Sequence, residues 1–394
     1  MKKYLLKTGR LIYEHFLRKI FFLFDSEAIH LRLTDFGEML GKIRPLTYIL
    51  KFLIRFEDPM LGQSLFKIKF QNPVGLAAGF DYRAQLTQIL PSIGFGFGTI
   101  GTITNSSSEG NSRPRLGRLI KSKSLMVNKG FRNPGIKNVL QKLNKLSFEI
   151  PIGISIGKTN TDKLTTQKQA IEDIVNAFKL TEKSAINFSY YELNISCPNL
   201  VGNITFYPPQ KLEELLIEIE KLKLNKPVFI KVPIDQNDNE TLNMLKIIAK
   251  HPIQGVIFGN LQKNRKDSSF DPQEILEYKV GNFSGKPTEK RSNELIKLTY
   301  RNYGKKLLII GCGGIFNAQD AYTKIKFGAS LVQLITGMIY EGPFIAAEIN
   351  ANLKDLLKDD GFKNIFEAIG INAKQTRWTR EDSNAQGHFQ PPTN

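Results

Sequence analysis

Residues 307–337, "LLIIGCGGIFNAQDAYTKIKFGASLVQLITG", decide how this chain folds. The two ends, "LLIIGCG" (307–313) and "SLVQLITG" (330–337), are short β-prone apolar runs, and "NAQDAYTKIKFGA" between them carries apolar residues at helical spacing. Strand, helix and strand in that order make a βαβ unit, the repeat of a parallel sheet. Both strands end in glycine-rich stretches, "IIGCGGI" (309–315) and "QLITGMIYEGP" (333–343). Glycines there leave backbone N–H groups open to a phosphate, although either stretch alone could be an ordinary turn. Barrels of eight βα units often hold a phosphate after strands seven and eight, so the pair in this order predicts a phosphate-bearing cofactor.

The same alternation extends upstream. "VGLAAG" (74–79), "GFGTIG" (96–101), "PIGISIG" (151–157), "YYELNIS" (190–196), "VFIKV" (228–232) and "GVIFG" (255–259) read as strands, and "PPQKLEELLIEIEKLKLN" is one of the amphipathic stretches between them. With the first two runs this makes eight strands, which predicts a (β/α)8 TIM barrel over residues 61–371 rather than an open doubly wound sheet. Residues 1–60 fall outside the repeat. "LLKTGRLIYEHFLRKIFFLF", "SEAIHLRLTDFGEMLGKI" and "LTYILKFLIRF" are three amphipathic stretches with basic flanks, suited to packing on the barrel or to lying in a membrane interface. The tail, 372–394, is polar and rich in turn residues and is expected to be disordered.

Composition narrows the class further. Two cysteines in 394 residues argue against a disulfide framework and for a reducing compartment. No stretch approaches the roughly 20 apolar residues of a membrane span, and "MKKYLLKTGRLIYEHF" lacks a signal peptide's apolar core and cleavage site. A cytoplasmic protein is expected. The formal net charge of +18 would suit nucleic acid, anionic lipid or a phosphorylated ligand, but lysines alternating with glutamates in "KLEELLIEIEKLKLNK" suit a solvated surface better. No nucleic-acid partner and no metal site are expected.

Chemistry concentrates at strand ends. Cys197, in "YYELNISCPNLVG" (190–202), is either a small packing hydrophobe or a proton-transfer residue at the mouth of the barrel. Lys231 lies within the apolar run "PVFIKVPI", where an unpaired ammonium is costly. It serves either a salt bridge to a neighbouring strand or an anion formed in the site. Asn194, Asn199 and Asn260, also at strand ends, are loop caps or else donors and acceptors for a planar, amide-rich ligand.

These residues carry a family resemblance. "FLFDSEAIHL", "FQNPVGLAAGFD", "GFGFGTIGTIT", "RPRLGRL", "GISIGKT", "LNISCPN", "FSGKPT", "LIIGCGGI" and "ASLVQLITGMIYEGP" follow one another as in the dihydroorotate dehydrogenases. The layout, over about residues 20 to 370, is most similar to the quinone-linked, membrane-associated class. The resemblance implies FMN-dependent oxidation of dihydroorotate to orotate in UMP synthesis. Electrons would pass to a quinone at the cytoplasmic side of the membrane, with the N-terminal helices as peripheral anchor and quinone entrance. It implies that Cys197 takes the proton from C5 while hydride leaves C6, with Lys231 beside the flavin.

For FMN it implies Ala77, Ala78, Gly79, Thr102, Ser155, Asn194, Lys231 and Gly259, with Gly285, Gly313, Gly314, Thr336 and Gly337. For the substrate it implies Asn128, Gly130, Phe131, Asn194, Asn199 and Asn260. Several positions depart from the family pattern. Cysteine stands where the quinone-linked class usually has serine, Tyr82 replaces a lysine that touches orotate and flavin, and Ser155 replaces an asparagine. In "VNKGF" either Val127 has displaced the orotate-binding asparagine or Asn128 has shifted into its role. The alternatives are a related FMN barrel acting on another pyrimidine, including tRNA dihydrouridine synthesis, and a non-catalytic FMN-binding homologue.

Overall fold

The computed structural model describes residues 2–202 and 204–373, with the backbone of Phe389–Gln390. Eight parallel strands close on themselves: β1 (Val74–Leu76), β2 (Phe97–Ile103), β3 (Ile152–Ile156), β4 (Tyr190–Asn194), β5 (Val228–Val232), β6 (Gly255–Phe258), β7 (Leu308–Cys312) and β8 (Leu331–Leu334). They follow chain order around the ring, and β8 returns to β1 with Gln333 opposite Gly75. This is the (β/α)8 TIM barrel that the sequence predicts, with all eight strands in the expected runs.

Alternation along each strand sorts the side chains into two cores. On β4 and β5, Tyr191, Leu193, Val228, Ile230 and Val232 face outward to the helices, whereas Tyr190 and Phe229 join Phe97, Leu308, Ile310 and Leu331 inside the barrel. The interior is aromatic at its N-terminal end. There a hairpin of Gln63–Leu65 and Ile68–Phe70 turns through Phe66 and Lys67, both at positive φ, and sets Phe66 against Phe229 at 6.0 Å and Phe70 against Phe97 at 5.4 Å. The backbone of Phe389–Gln390 pairs beside that hairpin. Of the tail expected to be disordered, Asn372 and Ala373 are instead tied to the barrel helices, through Asn372 N to Lys326 O at 2.9 Å and Arg301 Nε to Ala373 O at 2.8 Å. Residues 374–388 and 391–394 lie outside the described residues.

Three N-terminal helical segments lie against the barrel. Helix α1 (Lys2–Ile12) runs through a π-helical turn (Tyr13–Leu17) into Arg18–Phe22, and Arg10 ties it down through Glu341 and Glu348. Helix α2 (Ser26–Lys42) starts where the Asp25 carboxylate accepts from Ala28 N–H at 2.8 Å, a standard N-cap. Its glycines permit close docking: a Cβ at Gly37 would come within 2.5 Å of Leu86, and one at Gly41 within 3.0 Å of Gln88. Helix α3 (Arg44–Ile54) opens with proline in its first turn. Among the described residues no helix is long and apolar enough to cross a membrane.

A second sheet was not foreseen. Leu116–Leu119, Ser124–Val127 and Asn282–Gly285 form an antiparallel ribbon built from the long insertions after β2 and β6. Gly285 and Val127 carry this ribbon to the C-terminal mouth of the barrel, where both line the central cavity.

One buried charge lies away from the mouth. Lys324, on α4 (Ala318–Lys326), is fully buried and donates to Ser292 Oγ at 2.9 Å and Asn293 Oδ1 at 2.8 Å, with no carboxylate in ion-pair contact among the described residues. Burial pushes its ammonium down to about 8, while Cys312, Glu289 and Asp320 pull it up and Lys286 pushes it down. The unfolded chain therefore binds more protons than the folded one between pH 8 and the ordinary lysine range, and stability rises with pH across that window. Lys324→Met is expected to raise the unfolding free energy at pH 7 by about 1–3 kcal/mol and to flatten that rise. Urea midpoints from pH 7 to 10 measure both.

Candidate active site

A single cavity of about 530 Å³ opens at the C-terminal end of the strands and continues without a break to α2 and α3. At one end stand the glycine turns after β7 and β8. Gly313 and Gly314 have φ of +94° and +70°, a Cβ at Gly314 would collide with Glu289, and one at Gly337 would collide with the Ile315 carbonyl. Among the described residues the N–H groups of Gly314 and Gly337 donate to nothing. Unpaired N–H groups in a cradle that admits no side chain suit a phosphate. Gly285 and Thr336 complete this end of the cavity.

The middle of the cavity is bounded by Ala77, Ala78 and Gly79 after β1, with Thr102, Asn194 and Gly259 around the ring. A hydrogen-bond chain runs beneath it. Ser155 Oγ donates to Glu192 at 2.8 Å and meets Thr102 Oγ1 at 2.9 Å. Asn194 Nδ2 donates to Thr102 Oγ1 at 2.7 Å, Ser196 Oγ donates to Asn194 Oδ1 at 2.8 Å, and Asn260 Nδ2 donates to Ser196 Oγ at 2.6 Å. Lys231 is 5% exposed and lines the cavity, and among the described residues its ammonium has neither hydrogen bond nor ion pair. The salt bridge to a neighbouring strand is therefore not formed. Glu192, on β4, is fully buried, and burial pushes its carboxyl up while Lys231 and Ser155 pull it down. A buried ammonium with no carboxylate in ion-pair contact is poised for an external electron-rich partner.

Cys197 follows β4 and lines the same cavity with Asn199 and Asn260. Burial pushes its thiol up to about 11, opposed by the Asn199 N–H and by Lys231, Lys263 and Lys158. Two residues that the resemblance assigns to the ligands do not line this cavity. Ser155 does not reach the cavity, because its hydroxyl is spent on Glu192 and Thr102 one layer deeper. Asn128 does not reach it either: its Nδ2 faces Ser112 O and Pro114 O at 3.4 Å and its Oδ1 accepts from Asn111 at 2.9 Å. Val127, Gly130 and Phe131 of that loop do line the cavity.

Three lining residues escaped sequence reasoning. His30, on α2, packs edge-on to Phe80 at 4.7 Å and stacks on Tyr82 at 5.7 Å, and its Nε2 meets Phe80 O at 2.8 Å. Lys129 holds its ammonium 4.2 Å from the centre of the Tyr82 ring. Arg118, from the ribbon, donates to Phe24 O at 2.8 Å and lies 4.6 Å from the centre of the Phe22 ring, at the apolar end of the cavity. "SEAIHL", "VNKGF" and "RPRLGRL" contained them, but no local spacing marks them as neighbours. Among the described residues no group of three or more His, Cys, Asp or Glu side chains could hold a metal.

Fold and site together define a parallel (β/α)8 barrel with a glycine cradle, an interior lysine without an ion pair and a mouth thiol, roofed by apolar helices. The chain belongs to the dihydroorotate dehydrogenase family, whose model matches residues 60–357. It is 35% identical over 332 residues to the dihydroorotate dehydrogenase (quinone) of Trichodesmium erythraeum, covering 82% of this chain and 86% of the relative. To that of a Sulfurovum species it is 36% identical over 360 residues, covering 91% and 98%. A crystal structure of DHODH from Eimeria tenella in complex with ferulenol superposes with a TM-score of 0.77 at 27% identity, over 88% of this chain and 96% of that one.

Proposed function

We propose that this protein oxidises (S)-dihydroorotate to orotate in UMP synthesis and passes the two electrons to a membrane quinone. The observation that carries the reading is the continuity of one cavity, from the phosphate cradle past Lys231 and Cys197 to an apolar channel between α2 and α3. Family membership and the quinone-linked names of the relatives agree with it.

Bound FMN would supply the hydride acceptor and the electron carrier between the two substrates. Gly314 and Gly337 would hold its phosphate, while Ala78, Gly79 and Thr102 would shape the ring site. Lys231 would offer its unpaired ammonium to the electron-rich edge of the ring. Cys197 would take the C5 proton of dihydroorotate, with Asn194, Asn199 and Asn260 holding the loop that aims it. Arg118 would meet the polar end of the quinone in a channel otherwise lined by residues such as Leu33, Phe36 and Leu50.

The same helices would place the protein on the cytoplasmic side of the membrane. Leu33, Phe36, Met39 and Ile43 form an exposed stripe on and just beyond α2, and Tyr48, Ile49, Phe52 and Leu53 form another on α3, with Lys42 and Arg44 exposed between them. Contiguous exposed apolar stripes with basic flanks suit an interfacial anchor. Phe21 and Phe22 do not belong to it, because both are only partly exposed and the Phe22 ring packs edge-on against Tyr340.

The test is anaerobic mixing of the flavin-loaded protein with dihydroorotate while following the flavin absorbance near about 450 nm. Bleaching, followed by recovery of the band with a lipophilic quinone, is expected. A band that dihydroorotate leaves untouched would overturn the reading in favour of another substrate or a non-catalytic role.

A further inference from the structure

Resting on that reading, we infer that Lys129 is the residue that recognises the carboxylate of the substrate. It lies in the loop between the ribbon and the barrel, and its ammonium faces the cavity. Among the described residues it makes no ion pair. Its contacts are the Tyr82 ring at 4.2 Å and His30 Nδ1 at 3.5 Å. His30 Nε2 is engaged with Phe80 O, a carbonyl, so that nitrogen carries the hydrogen and Nδ1 is left as a neutral acceptor. Neither partner neutralises the ammonium.

The surrounding charges leave it short of an anion. Glu27, on α2, is the carboxylate of this cluster, and it is already shared by Arg113, Arg115 and Arg132 at 2.8–3.5 Å. Three guanidinium groups and one ammonium therefore face a single acid. A small organic anion would correct the imbalance.

Two independent features mark where such an anion would sit. Gly130 and Phe131, the next two residues, both have positive φ, +58° and +51°, and among the described residues their N–H groups donate to nothing. Successive N–H groups in that conformation form a nest for an anion. The Tyr82 hydroxyl is buried and without a partner although its side chain is only 5% exposed. The Phe131 ring lies against Gly157 and so near Thr102 and Asn194, which places the nest on the substrate side of the cavity. A planar substrate seated over Cys197 and Asn199 would turn its carboxylate to this nest and to Lys129.

The test reads binding as well as turnover. Orotate affinity of the flavin-loaded parent and of Lys129→Met is measured by calorimetry, with uracil, which lacks the carboxylate, as the control ligand. Losing a charge-assisted contact should weaken orotate binding about 10- to 100-fold and leave uracil unchanged. Tyr82→Lys added to Lys129→Met returns an ammonium to the same 4.2 Å neighbourhood and should restore much of the loss. Burial pushes Lys129 down to about 7, with Glu27 opposing and Arg132 and Arg115 adding to the shift. His30 is pushed further down, to about 3, and stays neutral in this range, while burial raises Tyr82. Parent affinity for orotate should therefore fall as pH climbs above 7, a trend absent in Lys129→Met. A parent that binds no orotate overturns both this assignment and the proposed function. A parent that binds orotate, with a Lys129→Met variant that binds it equally well, overturns this assignment alone, whatever happens to the KM for quinone.

Discussion

Cys197→Ala is expected to keep its flavin and to lose about 10²- to 10⁴-fold in the rate at which dihydroorotate bleaches it, the usual contribution of a general base. The reason is positional: Cys197 is the titratable group that the loop after β4 delivers to the cavity beside Asn199 and Asn260. Its pH dependence is a second readout. Because burial holds the thiol near 11 against Lys231, Lys263 and Lys158, the thiolate fraction grows tenfold per pH unit well past neutrality. The bleaching rate of the parent should climb from pH 6 to 9 without a plateau, and Cys197→Ser, with a still weaker acid, should be slower at every pH. Stopped-flow absorbance checks all three proteins. A Cys197→Ala protein as fast as the parent would remove the thiol from the mechanism and return it to packing.

The second large effect concerns the anchor. Tyr48 and Phe52 are 73% and 64% exposed on the outer stripe of α3, and neither lines the cavity. Withdrawing each ring from lipid forfeits about 1.5–3 kcal/mol at full burial, so Tyr48→Glu with Phe52→Glu should weaken partitioning to anionic vesicles at least about a hundredfold. Vesicle sedimentation measures this directly. Bleaching by dihydroorotate should be unchanged, because the barrel chemistry does not touch that stripe, whereas turnover with a bilayer-dissolved quinone should collapse. Equal vesicle binding by parent and variant would assign the helices to roofing the barrel.

The quinone-linked layout and the cysteine that stands where the resemblance leads one to expect serine meet in one chain without structural conflict. The thiol sits at the mouth of the barrel and the apolar channel lies beyond the aromatic wall of His30, Phe80 and Tyr82. On the proposed reading the two halves of the reaction would occupy different stretches of one cavity. A change of base in one stretch therefore does not oblige a change of acceptor in the other.

Local periodicity was enough to determine the barrel, the glycine cradle and the place of Cys197 and Lys231. A two-residue strand repeat, a helical repeat and a glycine at a forbidden backbone conformation are each written within a few neighbouring residues. What only the tertiary structure decided are contacts between long side chains from distant elements. His30 on α2, Tyr82 after β1 and Lys129 beside the ribbon meet because α2 docks through Gly37 and Gly41 and the ribbon folds over the mouth. Phe22 turned inward to Tyr340 for the same reason, and Asn128 turned away from the cavity because its loop offered it Asn111 and two carbonyls. Side-chain rotamers and the packing of elements far apart in the chain are settled together, by burial and by the need to satisfy each polar group, and no local pattern carries that information.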